Sequence, residues 1–128
     1  MAGTFILSLD TELAWGTIDK GGHKIHRRKL EVTRRNIEKL LAILKKHNIP
    51  ATWAFVGHLF LDNCSRNTAT EDPHPDVLTV DAPKGKVHWH EDDPATNRLL
   101  NPLWYGDDII DNVRRSQPEH EIGCHTFS

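Results

Sequence analysis

The sequence has no long apolar run, no large excess of either charge and few cysteines. No apolar run approaches the ~20 residues of a membrane-spanning helix, and no basic-then-apolar leader comes first, so we expect a soluble, cytoplasmic protein. The net charge of −2 gives no strong attraction to nucleic acid. The two cysteines, Cys64 and Cys124, match no zinc or disulfide spacing, and Cys124 is predicted to be a small buried residue.

The length and the periodicity of the sequence predict one domain in which strands and helices alternate. Its 128 residues suit a single small domain. Branched and aromatic runs indicate strands, repeated apolar spacing of three and four indicates helices, and glycines before the first helix indicate a loop. The predicted elements are strands at 4–10, 51–57 and 121–125, helices at 33–50 and 107–120, one helical turn at 58–63, and an irregular insertion at 64–103.

The ends of both helices carry recognisable signals. Thr33 is the predicted N-cap of the first helix, and Pro50 ends it. Asp107 or Asp108 is predicted to cap the second. The order strand, helix, strand, insertion, helix, strand is a βαβαβ pattern, which predicts an α/β fold with parallel strands. The carboxyl ends of such strands meet at one edge of the sheet, where α/β proteins place their chemistry.

Acidic and imidazole side chains follow the predicted strands at this edge. Asp10 and Glu12 are two apart, so both point the same way on an extended segment. Two carboxylates in one pocket repel, and a bound cation would resolve the conflict by taking one as ligand and leaving the other as a base. The alternative, a capping Asp10 and a solvated Glu12, stays open. His125 follows the third strand, and His58 follows the second, where capping or packing is the favoured role.

Three segments that carry these residues resemble one known family. "FILSLDTELAWG", "IPATWAFVGHLF" and "HEIGCHTFS" are similar, in the correct order, to successive motifs of the polysaccharide deacetylases. These proteins form the NodB homology domain, or carbohydrate esterase family four. The resemblance implies a partial, distorted (β/α) barrel of the NodB type with about three parallel strands in this chain. Residues 1–128 would then be the N-terminal part of one incomplete domain, with 64–103 as an insertion.

The resemblance also implies roles for individual residues. Asp10 matches the family's catalytic base, and His125 matches its first metal-binding histidine. Glu12 matches the metal-binding carboxylate, although it is displaced by one residue from the T-F-D-D pattern and is longer than the usual aspartate. The second histidine ligand is expected four residues after His125, one position past Ser128, so we expect little or no activity from these residues alone. The implied cofactor is a divalent metal, zinc foremost, with cobalt, nickel or manganese open.

The implied activity is metal-dependent hydrolysis of a non-peptide amide bond, most simply N-deacetylation of a sugar or polysaccharide precursor. The implied partner is therefore an N-acylated sugar or a small amide, without nucleic acid, and with membrane contact only for a lipid-linked substrate. Alternatives are a deformylase or small-amide hydrolase of the same fold, or a non-catalytic carbohydrate-binding remnant. Open strand edges also predict self-association of the fragment.

The insertion holds further candidates. Trp89 and Trp104 could stack on a sugar ring, although packing of the insertion against the barrel is the favoured interpretation. His88 and His90 in "HWHEDD" suggest a metal site but have no third ligand at convincing spacing. The basic segment "KGGHKIHRRK" could meet a phosphate or an anionic lipid, but a solvated face explains it more simply.

Overall fold

A computed structural model of the chain describes residues 3–20, 27–65 and 92–126. Trp89, His88 and His90 lie outside these residues, as does most of the basic segment. The strands are β1 (Ser8–Thr11), β2 (Thr52–Val56) and β3 (Glu121–Thr126). The helices are α1 (Arg27–His47) and α2 (Asp107–Arg115), with 3₁₀ helices at Trp15–Lys20 and Gly57–Phe60.

The three strands form one parallel sheet in the order β1-β2-β3. The prediction of a mixed α/β fold with three parallel strands and helices is therefore confirmed. The first strand is shorter than predicted, since it begins at Ser8, and Phe5 and Ile6 before it are exposed. The segment predicted as a loop after β1 contains the first 3₁₀ helix instead.

Helix α1 begins at Arg27, six residues before Thr33, the predicted N-cap. Thr33 lies inside the helix, where its hydroxyl donates a hydrogen bond to the carbonyl of Lys29, so it is not the N-cap. The buried stripe of α1 consists of Leu30, Ile37, Leu41 and Leu44. Aliphatic residues at this spacing form the face that packs on the core.

The end of α1 is set by Asn48 rather than by Pro50 alone. Asn48 has a φ of 52°, and the next amide, of Ile49, donates to the carbonyl of Leu44 at 2.9 Å. The amide of Asn48 itself donates to the carbonyl of Lys45 at 3.2 Å. These two bonds form a Schellman motif, which satisfies carbonyl groups that the helix end leaves without partners.

Helix α2 is capped by Gly106, not by an aspartate. Asp107 and Asp108 lie in its first turn, where their negative charge is favourable near the helix N-terminus. Asp108 also forms an ion pair with Arg34, which ties α2 to α1. The apolar face predicted for this helix, Ile109, Ile110 and Val113, is buried.

The two faces of the sheet differ in burial. Register places Leu9 beside Trp53 and Trp53 beside Ile122, and these side chains are buried or partly buried. The other face carries Asp10, Ala54 and Gly123 in one row, and none of the three is fully buried. One face is thus built into the core, and the other remains accessible. Across the three described ranges, no helix has both the length and the apolar character required to cross a membrane.

The described ends of the insertion are joined by a short antiparallel contact, which we call the neck (62–64 with 96–98). Asn63 and Asn97 form an isolated β-bridge. The amide of Cys64 donates to the carbonyl of Thr96 at 2.9 Å, and the amide of Arg98 donates to the carbonyl of Asp62 at 3.2 Å. The insertion therefore leaves and re-enters the domain at one place.

Candidate functional site

The structure brings Asp10, Glu12 and His125 together at the C-terminal edge of the sheet; we call them the rim site. The Nε2 atom of His125 lies 3.5 Å from Oδ2 of Asp10 and 3.8 Å from Oε1 of Glu12. Asp10 and Glu12 are more than a hundred positions from His125 in the sequence, so it is the parallel sheet that brings them together. Their roles as base and ligands remain predictions.

The register of the sheet explains why these side chains reach one edge. Asp10 is in register with Ala54, and Ala54 is in register with Gly123. Glu12 lies two residues beyond Asp10, just past the end of β1, and His125 lies two residues beyond Gly123. His125 is also the extra residue of an irregularity in β3, because Phe55 pairs with residue 124 and the next residue of β2 pairs with Thr126. Such bulges redirect side chains.

Small residues leave room for the rim site on the sheet. In the row that runs across the sheet from Asp10, the residue of β2 is Ala54 and the residue of β3 is Gly123, and neither carries a long side chain. A Cβ atom added to Gly123 would meet no atom within 4 Å, so the space above this strand is open. A carboxylate from one outer strand and an imidazole from the other can therefore meet over the central strand.

A glycine fixes the position of Glu12. A Cβ atom at Gly16 would lie only 1.8 Å from Oε2 of Glu12 and 2.8 Å from its Cδ. The carboxylate thus occupies space that any other residue at position 16 would fill. Glu12 precedes the turn between β1 and the first 3₁₀ helix, Gly16 lies in that helix, and the amide of Trp15 donates to the carbonyl of Glu12 at 3.1 Å. This tight turn holds the Glu12 side chain beside His125.

The rim site is accessible to a substrate. The side chain of Asp10 is 61% exposed, and the side chains of Glu12 and His125 are each 34% exposed. The two carboxylates and the imidazole offer oxygen and nitrogen donors of the kind that zinc and related divalent ions bind. The least covered of the three, Asp10, is the group best placed to exchange a proton with water or substrate.

A second cluster, fully buried, consists of His58, Cys64 and Asp93. Nε2 of His58 lies 3.2 Å from Oδ2 of Asp93, and Sγ of Cys64 lies 3.4 Å from the same oxygen. One ligand atom from each residue lies within 4.8 Å of the others, so this group could hold a metal ion. We call it the neck cluster, because Cys64 lies in the neck and Asp93 lies three residues before Thr96.

Hydrogen bonds keep Asp93 ionised despite its burial. Burial by itself raises the pKa of this carboxyl group, but hydrogen bonds from His58, the amide of Ala95 and Cys64, together with the charge of His58, outweigh it. The net effect lowers the pKa to about 2. Burial and a hydrogen bond with Cys64 raise the pKa of the Tyr105 hydroxyl well above its ordinary value. Near neutral pH, Asp93 is therefore a carboxylate, and the neighbouring Tyr105 is a neutral phenol.

Aromatic rings enclose the neck cluster. The ring of His58 lies 4.4 Å from Trp15 and 5.4 Å from Tyr105, measured between centroids. The Tyr105 hydroxyl lies 3.1 Å from Sγ of Cys64 and accepts a hydrogen bond from the amide of Thr96 at 2.8 Å. The side chains of both His58 and Asp93 have no exposed area. A metal ion here would be shielded from a substrate.

One cysteine prediction is wrong, and the other cysteine has partners that its sequence spacing does not reveal. Cys124 is exposed rather than buried, because it lies near the end of β3 where the sheet is uncovered. Cys64 is buried and joins a potential metal cluster, although neither cysteine shows a zinc spacing in the sequence. Its partners come from a 3₁₀ helix before it and from a loop 29 residues after it. A spacing rule for local motifs does not detect such a set.

The histidine and acidic candidates also change roles. His58, considered for the rim, is fully buried and contacts Asp93 instead. This agrees with the packing role favoured for it. Asp93 is the last residue of "HWHEDD", the segment considered for a second metal site. It contributes to a cluster with residues of the neck, whereas the roles of its neighbours His88 and His90 remain predictions.

Trp104 is part of the core rather than of an open sugar site. Its side chain is 8% exposed, and its ring packs edge to face against Trp15 at 5.2 Å. The indole nitrogen of Trp15 donates to the Trp104 carbonyl at 3.1 Å. A sugar could stack on Trp104 only by displacing this contact. Trp89, the other candidate, lies outside the described residues.

Comparisons of this chain with known protein families, with curated proteins and with solved structures give no match. The likeness to the polysaccharide deacetylases therefore stands on the three sequence motifs and on the convergence of Asp10, Glu12 and His125.

Proposed function

We propose that this chain carries the base and two metal ligands of a hydrolase that cleaves non-peptide carbon–nitrogen bonds, foremost the acetamide of an N-acetylated sugar. The observation that carries the proposal is the meeting of Asp10 and Glu12 with His125 at the C-terminal edge of a parallel sheet. The resemblance to polysaccharide deacetylases supports the reaction class. The partly exposed rim supports a substrate that approaches from solvent.

The rim residues fit the divalent metal that this chemistry requires. Two carboxylates and an imidazole form a donor set that suits zinc, and cobalt, nickel or manganese also accept it. Both carboxylates lie within 4 Å of the same imidazole nitrogen. Glu12 and His125 would hold the metal.

The reaction divides the rim residues into ligands and a base. A bound divalent cation would supply a Lewis acid that acidifies a water molecule and polarises the acyl carbonyl. Asp10, the most exposed of the three, would accept the proton of that water. Glu12, fixed against Gly16, and His125, placed by the bulge in β3, would keep their donor atoms on the accessible face. The products would be a carboxylate, acetate for an acetyl group, and a free amine.

The open face of the sheet supports the finer fold proposal. In a distorted barrel of the NodB type, the face with Asp10, Ala54 and Gly123 would be the interior. Within the described residues, β1 and β3 are the two outer strands of the sheet, and exposed Phe5 and Ile6 precede β1. Outer strands and apolar groups of this kind favour association with further strands or with a second copy. Size-exclusion chromatography of residues 1–128 should show self-association, and a sharp monomer peak would oppose it.

The test is an amide-hydrolysis assay on the protein as encoded, including any residues that follow Ser128. Zinc- or cobalt-loaded protein should release acetate from N-acetylglucosamine oligomers or from nucleotide- or lipid-linked precursors. Asp10→Asn should abolish turnover while leaving metal content unchanged, whereas His125→Ala should lower both. Asp111→Asn is the matched control, since Asp111 lies on the exposed side of α2 in an ion pair with Arg115.

The substrate panel separates the remaining alternatives. Turnover of formamido sugars or small cyclic amides, without turnover of acetamides, would identify a deformylase or small-amide hydrolase. Binding of carbohydrate without turnover of any amide would indicate a non-catalytic module and would overturn the hydrolase proposal. A histidine four residues after His125 in the encoded protein would support the enzyme.

A further inference from the structure

We propose that the neck cluster, His58, Cys64 and Asp93, is a structural metal site of the zinc class that closes the base of the insertion. It is independent of the hydrolase proposal, since it shares no residue with the rim site. Its donors are an imidazole nitrogen, a cysteine sulfur and a carboxylate oxygen, all from buried residues. No spacing in the sequence points to it, and only the fold brings these donors together.

The distances within the cluster fit a tetrahedral ion. Zinc binds nitrogen and oxygen at about 2.0–2.2 Å and sulfur at about 2.3 Å, which places neighbouring ligand atoms about 3.3–3.8 Å apart. The Nε2 of His58 lies 3.2 Å from the Asp93 carboxylate, and the Cys64 sulfur lies 3.4 Å from it. Only a small adjustment separates these contacts from metal ligation. The Tyr105 hydroxyl, 3.1 Å from the same sulfur, is the nearest candidate for a fourth position.

Charge and proton balance favour a divalent ion in this cluster. An ionised carboxylate is costly to bury, and Asp93 is 3% exposed. Metal binding would deprotonate the Cys64 thiol and release one proton, while His58 would bind through Nε2 with its proton on Nδ1. The thiolate and the carboxylate then supply two negative charges, which balance the two positive charges of the ion. A thiolate ligand selects zinc or cobalt over magnesium or calcium.

The position of the cluster indicates a structural role. Catalytic zinc sites leave one position open to water or substrate, whereas structural sites are closed. His58, Cys64 and Asp93 are all buried, and the rings of Trp15 and Tyr105 cover His58. The metal would tie the 3₁₀ helix after β2 to both ends of the insertion. It would thus reinforce the backbone bonds of the neck.

A cobalt titration tests the site without perturbing it. The sequence contains only two cysteines, so Cys124→Ser leaves Cys64 as the sole thiol. Adding Co²⁺ to Cys124→Ser protein should produce the thiolate-to-cobalt charge-transfer band in the near ultraviolet and tetrahedral ligand-field bands in the visible. Zn²⁺ should remove both. The rim site has no sulfur ligand, so cobalt bound there gives no charge-transfer band.

The double variant Cys124→Ser/His125→Ala separates this inference from the proposed function. It lacks a rim ligand, so it should lose rim metal and hydrolysis but keep the charge-transfer band. Zinc at a hundredfold excess over its dissociation constant should also raise its melting temperature by about 10 °C. Absence of the charge-transfer band at saturating cobalt in Cys124→Ser protein overturns the inference. If Cys124→Ser shows the band and the double variant does not, the thiolate ligand belongs to a site that includes His125, and this outcome also overturns the inference.

Discussion

The substitution Gly16→Ala tests whether the position of Glu12 matters for metal binding. The added Cβ atom would lie 1.8 Å from Oε2 of Glu12 and 2.9 Å from its Cβ. Since non-bonded atoms separate to about 3.5 Å, the carboxylate must move by at least about 1.5 Å. Metal ligands tolerate errors of only about 0.2 Å, so Glu12 would lose its place in the rim site.

The expected loss of metal affinity can be estimated. Disturbing a group that orients a metal ligand typically weakens metal binding by about 10- to 100-fold, which corresponds to about 1.4–2.7 kcal/mol. Gly16 lies in a 3₁₀ helix, and the added Cβ would also lie 2.9 Å from the Cβ of Glu12, which is fixed to the backbone, so a small backbone shift and a modest fall in melting temperature are expected as well. Metal affinity is therefore compared at a temperature at which the variant is folded, where a loss of about 10- to 100-fold reports the displaced carboxylate.

The assay is an NMR titration with zinc that follows the imidazole resonances of His125. These resonances report the rim site and not the buried neck cluster. Gly3→Ala is the matched control, because a Cβ atom added at Gly3 meets no atom within 4 Å. Equal affinities for wild-type and Gly16→Ala protein would refute the assignment of Glu12 as a ligand.

Three further predictions concern the core, the neck and a helix end. The pKa of Asp93 is lowered from 3.8 to about 2, so the stabilising effect of its carboxylate is present above about pH 4 and is lost as pH falls through 2. In urea denaturation, Asp93→Asn should therefore lower the free energy of unfolding by about 2 kcal/mol at pH 7 but by little at pH 2. Equal losses at both pH values would oppose this prediction. Ile110→Ala should lower the free energy of unfolding by about 2–5 kcal/mol, because Ile110 is 2% exposed. Leu99→Ala, at a residue that is 85% exposed, should lower it by under about 0.5 kcal/mol. Similar losses for the two variants would contradict the assigned core. Asn48 has a φ of 52°, a conformation that glycine adopts readily and alanine does not. Asn48→Gly should therefore keep or raise the free energy of unfolding, and Asn48→Ala should lower it by about 1 kcal/mol. An alanine variant more stable than the wild type would count against the Schellman motif.

The fold was predictable where the pattern was local and strong. Alternating apolar segments gave the three parallel strands, and the spacing of Ile37, Leu41 and Leu44 gave the core face of α1. The start of α1 was not predictable from Thr33, because a residue that can cap a helix can also lie inside it and donate back to a carbonyl one turn earlier. Helix ends depend on such competing bonds more than on apolar periodicity.

The rim site was predictable because parallel strands force their carboxyl ends together. Asp10 and His125 lie near the carboxyl ends of β1 and β3, and Glu12 lies one residue past β1, so the βαβαβ order brings them to the same edge. The neck cluster was not predictable in this way. His58, Cys64 and Asp93 lie in a 3₁₀ helix and in loops, and their meeting depends on tertiary packing around Trp15 and on the closure of the neck.

A crystal structure of the zinc-loaded protein, with the metal located by its anomalous scattering, tests the central claim most directly. We predict an anomalous peak at the rim, within ligand distance of a Glu12 carboxylate oxygen and a His125 ring nitrogen, with the Asp10 carboxylate beside it. Zinc confined to the neck cluster, or a rim without metal at saturating zinc, would contradict it.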